Sequence, residues 1–286
     1  MIEFVNAKLN IGLNIVSKRS DGYHNLETVF YPIGKGSHGP DSHSALCDLL
    51  EIVPAKDGVD ELITLGNKVD CPTEKNLVWK ALMAFRNAYE GESPAVKIIL
   101  DKHLPDGAGM GGGSADASFT LKALNKLHGN PFSDEDLARI ALTLGADCPF
   151  FVYNRPCFAT GIGEVMEPID LDMSNYWIAI VKPAVSISTK EAFSMITPQS
   201  PEKSVNEIVA LPIEQWRDVL VNDFERSMFA LHPEIESIKE QLYADGAIYA
   251  SMTGSGSAFF GIFDSEEKAA KACDNSQCTF RCVVRG

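Results

Sequence analysis

Between Leu104 and Ala117 the chain reads Leu-Pro-Asp-Gly-Ala-Gly-Met-Gly-Gly-Gly-Ser-Ala-Asp-Ala, with five glycines among the seven positions from Gly107 to Gly113. Glycine lets a backbone take positive φ and lets a ligand come close to its N–H groups. A helix starting directly behind the loop adds unpaired N–H groups and the positive end of a dipole. Together these make a cradle for phosphate. The P-loop pattern G-x-x-x-x-G-K-[ST] is missing, because no lysine follows the glycines. Gly107, Gly109 and Gly112 satisfy G-x-G-x-x-G, a weak match in so glycine-rich a run. A dinucleotide fold also wants an acidic residue about twenty positions on, at the end of a second strand. Here that region, Pro131 to Asp136, reads as a helix start. Neither H-R-D nor D-F-G occurs, so the protein-kinase pattern is absent as well. The loop predicts an enzyme that uses a nucleotide.

The elements around the loop support that reading. Val96 to Leu100 reads as a short buried strand leading into it. Behind it, Ala117, Leu121, Leu124 and Leu127 recur at three- and four-residue steps, a helical stripe stopped by Gly129 and Pro131. Leu9, Ile11, Leu13 and Ile15 alternate with Asn10, Gly12 and Asn14 as in a strand, Asp21-Gly22 signals a turn, and Leu26 to Tyr31 reads as the return strand. Gly34 to Ser44, rich in Gly, Ser and His, reads as an exposed loop. Helices are predicted over 76–89, 133–144 (with Ser133 and Asp136 as a capping box), 234–243 (opened by Pro233) and 265–273. Strands are predicted over 176–181, 248–252, 258–263 and 279–284. This mixed order, with hairpins and helical returns, predicts α+β layers rather than a doubly wound sheet.

Composition narrows the class. The 286 residues allow one large domain or two moderate ones, and 45% hydrophobic content is enough for an ordinary core. A net charge of −14 argues against nucleic acid or an anionic membrane surface as partner. It also means that an anionic nucleotide is attracted locally, against the general field. No apolar run approaches the roughly 20 residues that span a bilayer. Met1 to Asn6 lacks the charged and apolar regions of a signal peptide, so a cytoplasmic protein is expected. Seven cysteines without a secretory signal fit reduced thiols. Cys273, Cys278 and Cys282 supply three thiols with no fourth ligand, and read as small buried side chains rather than a zinc site.

Ala7-Lys8-Leu9-Asn10, the loop from Pro105 to Ala117, and Met252-Thr253-Gly254-Ser255-Gly256 together resemble the three motifs of the GHMP small-molecule kinases, in that family's order and spacing. Arg19-Ser20-Asp21-Gly22-Tyr23-His24 and Gly145-Ala146-Asp147-Cys148-Pro149-Phe150-Phe151 resemble one branch of it, in which ATP phosphorylates the 2-hydroxyl of a cytidyl-diphosphate derivative of methylerythritol, an isoprenoid precursor. The resemblance implies an α+β fold of two domains: a ribosomal-S5-like nucleotide domain over residues 1–165 and a ferredoxin-like domain over 166–286, with the active site between them. ATP, with Mg²⁺, would be the cofactor, and a small-molecule cytidyl-diphosphate substrate the partner. Two other functions fit the same motifs: a kinase for another small alcohol, and a catalytically silent ligand-binding regulator.

The resemblance also assigns residues. Pro105, Gly107, Gly109, Met110 and Gly111 would line the phosphates, followed by Gly112, Gly113, Ser114 and Ala115 at the helix start. Asn76, Leu77 and Lys80 would form the adenine side, although a plain amphipathic helix explains them equally well. Lys8 and Asp147 would be catalytic, the carboxylate serving the acceptor hydroxyl and the ammonium stabilising it. Tyr23 and Phe193 would sandwich the cytosine, with His24, Asn10 and Thr189 as polar contacts and Gly254, Ser255 and Gly256 beside the acceptor. Ala115 stands where many family members carry a second hydroxyl, and no protein metal ligand is assigned.

Overall fold

The computed structural model describes residues 1–34 and 46–286. The loop expected over 34–44 therefore lies outside the described residues, apart from Gly34. The described chain forms β1 (Ile2–Lys18), β2 (His24–Ile33), β3 (Cys47–Pro54), β4 (Glu61–Gly66), α1 (Leu77–Ala88), β5 (Val96–Lys102), α2 (Gly112–Leu127), α3 (Asp134–Leu142) and α4 (Cys148–Tyr153). It continues through β6 (Cys157–Thr160), β7 (Val165–Pro168), β8 (Trp177–Lys182), α5 (Thr189–Ser194), α6 (Val205–Val209) and α7 (Asp223–Leu231). It ends with α8 (Pro233–Ala244), β9 (Tyr249–Met252), β10 (Phe259–Phe263), α9 (Glu266–Asn275) and β11 (Phe280–Arg285).

These elements divide into two compact units. The first holds Met1–Ala7, Leu46–Asp106 and Gly111–Arg155; the second holds Lys8–Ala45, Gly107–Met110 and Pro156–Gly286. In the first unit, residues 2–6 of β1 pair antiparallel with β3, β3 pairs antiparallel with β5, and β4 runs parallel to β5. Helix α2 packs against α1, α3 and α4. It is covered on nearly every side, which corrects the expected single stripe: Asp116, Ser118 and Thr120 are buried while Leu127 is 43% exposed. The buried hydroxyls are satisfied by bonding back to backbone, Thr120 Oγ1 to the Asp116 carbonyl at 2.7 Å and Ser118 Oγ to that of Ser114 at 2.9 Å. The Ser133–Asp136 capping box opens α3 as predicted.

In the second unit, β1 continues beside β2, which pairs antiparallel with β6, and β6 with β7. A separate antiparallel sheet has the order β11-β8-β10-β9. In chain order its strands are β8, β9, β10 and β11, with α7 and α8 in the first connection and α9 in the last. Numbered from the first strand, the spatial order is fourth, first, third, second, with helical crossovers, which is the ferredoxin-like arrangement. One core gathers Leu13 and Ile15 of β1 with Ala179, Val181, Phe224, Phe259 and Phe263. This burial explains why residues 8–34 group with the C-terminal half, rather than on the N-terminal side of a single cut at residue 165. The strand is buried on both faces from Val5 to Ile15, because its polar members find partners: Asn10 Nδ2 donates to Thr28 Oγ1 at 3.0 Å and Asn14 Nδ2 to Glu27 Oε1 at 3.1 Å.

Candidate active site

Three of the sequence segments meet within the second unit. Lys8 is 3% exposed; its backbone N–H donates to the Met110 carbonyl at 3.1 Å, its ammonium donates to Asn10 Oδ1 and stands 4.9 Å from the centre of the Phe30 ring. The Asn10 N–H donates to Thr253 Oγ1 at 3.0 Å, and the Thr253 hydroxyl donates to the Gly109 carbonyl at 3.3 Å. Gly109 has φ +75°, and a Cβ placed on it would lie 2.0 Å from the Thr253 carbonyl oxygen. Gly254, at φ +57°, faces it from the other side, its own Cβ position 3.0 Å from the Gly109 oxygen. Gly109 is thus seated against the Thr253–Gly254 turn, and a side chain is excluded from either side of that seam.

The residues expected around the cytosine lie in the same unit. The ring that stacks on Phe193 is His24, with centroids 5.1 Å apart and planes 24° apart. Tyr23, expected across the cytosine from Phe193, is 60% exposed on the Arg19–Tyr23 turn, where its N–H is held by Asp21 Oδ1 at 3.1 Å. Phe193 also meets Phe224 edge-on at 4.9 Å. Burial, with the charge of Lys18 behind it, holds the His24 imidazole below its ordinary pKa. Thr189 Oγ1 lies 3.2 Å from Ser255 Oγ, which joins the start of α5 to the Gly254–Gly256 turn.

The first unit holds the other half of the glycine segment. Gly112, Gly113 and Ser114 form the first turn of α2, with Ala115 buried behind them and Gly111 preceding them. Ser118 Oγ lies within hydrogen-bond distance of the Ser114 and Cys148 carbonyls, at 2.9 and 2.7 Å, and so ties the start of α2 to the start of α4. Asp147 is the half-buried residue just before α4, with Pro149 in the first turn. Cys148 and Pro149 thus open a helix, since proline suits a position whose N–H has no helical acceptor. Burial pushes the Cys148 thiol up to about 11, which keeps it protonated beside Ser114.

A cavity of about 240 Å³ opens beside this helix start, lined among others by Asn76, Leu77, Leu104, Asp106 and Gly113. Asn76 caps α1, accepting from the Val78 N–H at 2.9 Å; Pro105 and Met110 flank the loop, and Lys80 is exposed one turn into α1. Sequence reasoning missed what forms the cavity's inner wall. Lys102 donates to Asp48 and, at 2.7 Å, to Asp116 Oδ2. Asp48 Oδ1 also accepts from the N–H groups of His103 and Leu104 at 2.6 and 2.8 Å, fixing the chain just before the loop. Asp116 Oδ1 is buried without a hydrogen-bond partner among the described residues. Burial raises the Asp116 carboxyl to about 7, against the pull of Lys102 and with the push of Asp48. Burial acts to lower the Lys102 pKa, but the two carboxylates outweigh it and leave the ammonium raised. Only the acidic residue at the loop's end pointed to this group, and its partners lie far away in sequence.

Among the described residues, no group of three His, Cys, Asp or Glu side chains could hold a metal ion. All seven cysteines are free thiols; the Cys273 Sγ lies 3.5 Å from the Cys282 carbonyl.

Comparison with known proteins follows this geometry closely. Residues 76–155 match the model of the GHMP kinases N terminal domain, and residues 209–281 that of the GHMP kinases C terminal. The chain is 53% identical over 264 residues to a 4-diphosphocytidyl-2-C-methyl-D-erythritol kinase of Parabacteroides distasonis, covering 92% of each chain. It is 48% identical over 273 residues to the kinase of that name from Bacteroides fragilis, covering 95% of each. A crystal structure of a 4-(cytidine 5'-diphospho)-2C-methyl-D-erythritol kinase superposes with a TM-score of 0.81 at 30% identity over the whole of both chains. A mevalonate kinase structure shares the fold at 14% identity, with a TM-score of 0.69.

Proposed function

The chain belongs to the GHMP kinase family, and we propose from that premise that it transfers the γ-phosphoryl group of ATP to the 2-hydroxyl of 4-diphosphocytidyl-2-C-methyl-D-erythritol in isoprenoid-precursor synthesis in the cytoplasm. It is a phosphotransferase with an alcohol acceptor. The observation that carries the choice of acceptor is the near-complete coverage, at about half identity, by kinases bearing that substrate's name.

Phosphoryl transfer needs positioning and electrostatic stabilisation more than covalent chemistry. The N–H groups at the start of α2, from Gly112 to Ser114, hold the β- and γ-phosphates, supported by the helix dipole. The cavity beside Asn76, Leu77 and Gly113 receives the adenosine. Ser114 is the hydroxyl that would meet the Mg²⁺ that travels with ATP, an ion that when bound would neutralise charge on the phosphates and would be held mainly by those phosphates and water. Asp147 takes the proton of the acceptor hydroxyl, and Lys8 stabilises the oxygen as the proton leaves. The cytosine rests against Phe193 and His24, with Tyr23, Asn10 and Thr189 around it, and Gly254, Ser255 and Gly256 hold the acceptor's diphosphate arm.

The test is an ADP-release assay of the purified chain with ATP and Mg²⁺ against the cytidyl acceptor, mevalonate and homoserine in turn. Turnover with the cytidyl acceptor alone is expected. Equal kcat/KM with another alcohol, or no turnover with any, would overturn the assignment.

A further inference from the structure

The segment Val221-Asn222-Asp223-Phe224-Glu225 lies in none of the motifs, yet it grips both of the strands that carry them in the second unit. The Leu13 N–H donates to the Val221 carbonyl at 2.8 Å, and the Ile15 N–H to Asp223 Oδ2 at 2.6 Å, which holds the strand of Lys8 and Asn10. On the other side, Asn222 Nδ2 donates to the Met252 carbonyl at 2.8 Å and to the Gly254 carbonyl at 2.9 Å. Glu225 Oε1 accepts from the Met252 N–H at 2.8 Å and from Ser251 Oγ at 3.0 Å, while Oε2 accepts from Lys239 at 2.6 Å. Asn222 is 2% exposed and Glu225 7%.

Three of these bonds bracket one residue, Thr253. That threonine accepts from the Asn10 N–H and donates to the Gly109 carbonyl. Any shift of Met252 or Gly254 therefore passes directly to Asn10 and to the phosphate loop. A helix cap alone does not require this arrangement. Asn222 Oδ1 already caps α7 by accepting from the Phe224 N–H at 3.0 Å, a task serine or aspartate performs as well. The two amide hydrogens face the turn, and among capping side chains only an amide supplies two donors.

We propose that Asn222 and Glu225 are positioning residues of the reaction: they set the Thr253–Gly256 turn and, through Thr253, Gly109 of the phosphate loop. The inference rests on the kinase reading above for its activity assay, but not for its structural readout. Asn222→Ser keeps the helix cap and removes both amide donors, leaving one shorter hydroxyl that cannot hold both carbonyls. Glu225→Ala removes the acceptor of the Met252 N–H, and Glu225→Gln restores one.

Each variant is measured for kcat, for KM of both substrates, for thermal unfolding, and for amide hydrogen exchange in the absence of ligands. N222S is expected to unfold cooperatively well above the assay temperature and to lose about 10- to 100-fold in kcat/KM, the scale of a displacement near 1 Å. Its exchange should quicken over residues 252–257 and 107–110 while β8 stays protected. E225A should follow N222S, and E225Q should stay within about fivefold of wild type. Turnover of N222S within about twofold of wild type, or a loss that only tracks the unfolded fraction, overturns the proposal. Should N222S not fold, the E225A and E225Q pair decides on the same readouts. A wild-type chain silent toward the cytidyl acceptor would count against the activity assignment alone, leaving hydrogen exchange to judge the clamp.

Discussion

Alanine at Gly109 puts the seam between the phosphate loop and the Thr253 turn under direct test. The added Cβ would sit 2.0 Å from the Thr253 carbonyl oxygen and 2.9 Å from its carbon, both backbone atoms. Non-bonded heavy atoms settle near 3.5 Å, so the two segments must part by roughly 1 Å or more. The backbone adds its own cost, about 1–2 kcal/mol for an L-residue held at positive φ. Gly107 is the internal control: it has φ +60° but meets only Ser186 Oγ, at 3.9 Å. Gly107→Ala should therefore show the backbone cost without the forced parting of the seam, lowering Tm by roughly 2–8 °C. Gly109→Ala should show that fall together with a loss of about 100-fold in kcat/KM, because displacement of the loop proposed to hold the transferring phosphate would be felt in the rate. Differential scanning fluorimetry and ADP release measure the two quantities separately. Equal activity losses in the two variants, within about threefold, would refute the argument that the close approach of Gly109 to Thr253 matters for phosphate positioning.

Asp147→Asn and Lys8→Ala should each lower kcat by at least about 100-fold in the same assay, the low end for losing a general base or its partner; near-normal turnover removes that residue from the mechanism. Phe193→Ala should raise KM for the cytidyl acceptor by about 5- to 100-fold, as expected for a lost base–aromatic stack, with KM for ATP unmoved; an unchanged acceptor KM argues against stacking. The Asp116 carboxyl, near 7 in the folded chain against 3.8 ordinarily, binds its proton more tightly when folded, so its contribution to stability falls as pH rises between those values. The Tm of Asp116→Asn relative to wild type should consequently climb from about pH 5 to about pH 8, and a flat difference would show that this proton is not what the burial holds.

Much of the machinery was legible because the chemistry is local. Glycines crowd one loop, the helix behind it begins at once, and caps such as Ser133 with Asp136 sit within one turn of their partners. What stayed hidden depends on partners far away in sequence. Nothing near Lys102 announces Asp48, 54 positions earlier, and nothing near Asn222 announces Gly254, 32 later. Helix α4 escaped for a different reason: Cys148 to Val152 are all buried, so no polar face gives the run a period, and Pro149 reads as a breaker although it stands in the first turn. The direct stack of His24 on Phe193 was hidden in the same way as the Lys102 and Asn222 contacts, since the two rings lie far apart in sequence.

Strand β1 also sets a schedule. Leu13 and Ile15 belong to a core whose other members run from Ala179 to Cys273. A ribosome adding about 5–20 residues per second needs roughly 10–50 s to go from Ile15 to Phe263. Throughout that interval the apolar side chains that follow Lys8 have been synthesised but lack their final neighbours. The segment bearing the lysine is thus made well before the residues that enclose it. Slow completion of α7, α8 and β10 would lengthen its exposure to aggregation and to proteases, and the yield of this enzyme in a cell should depend on how quickly residues 179–273 arrive.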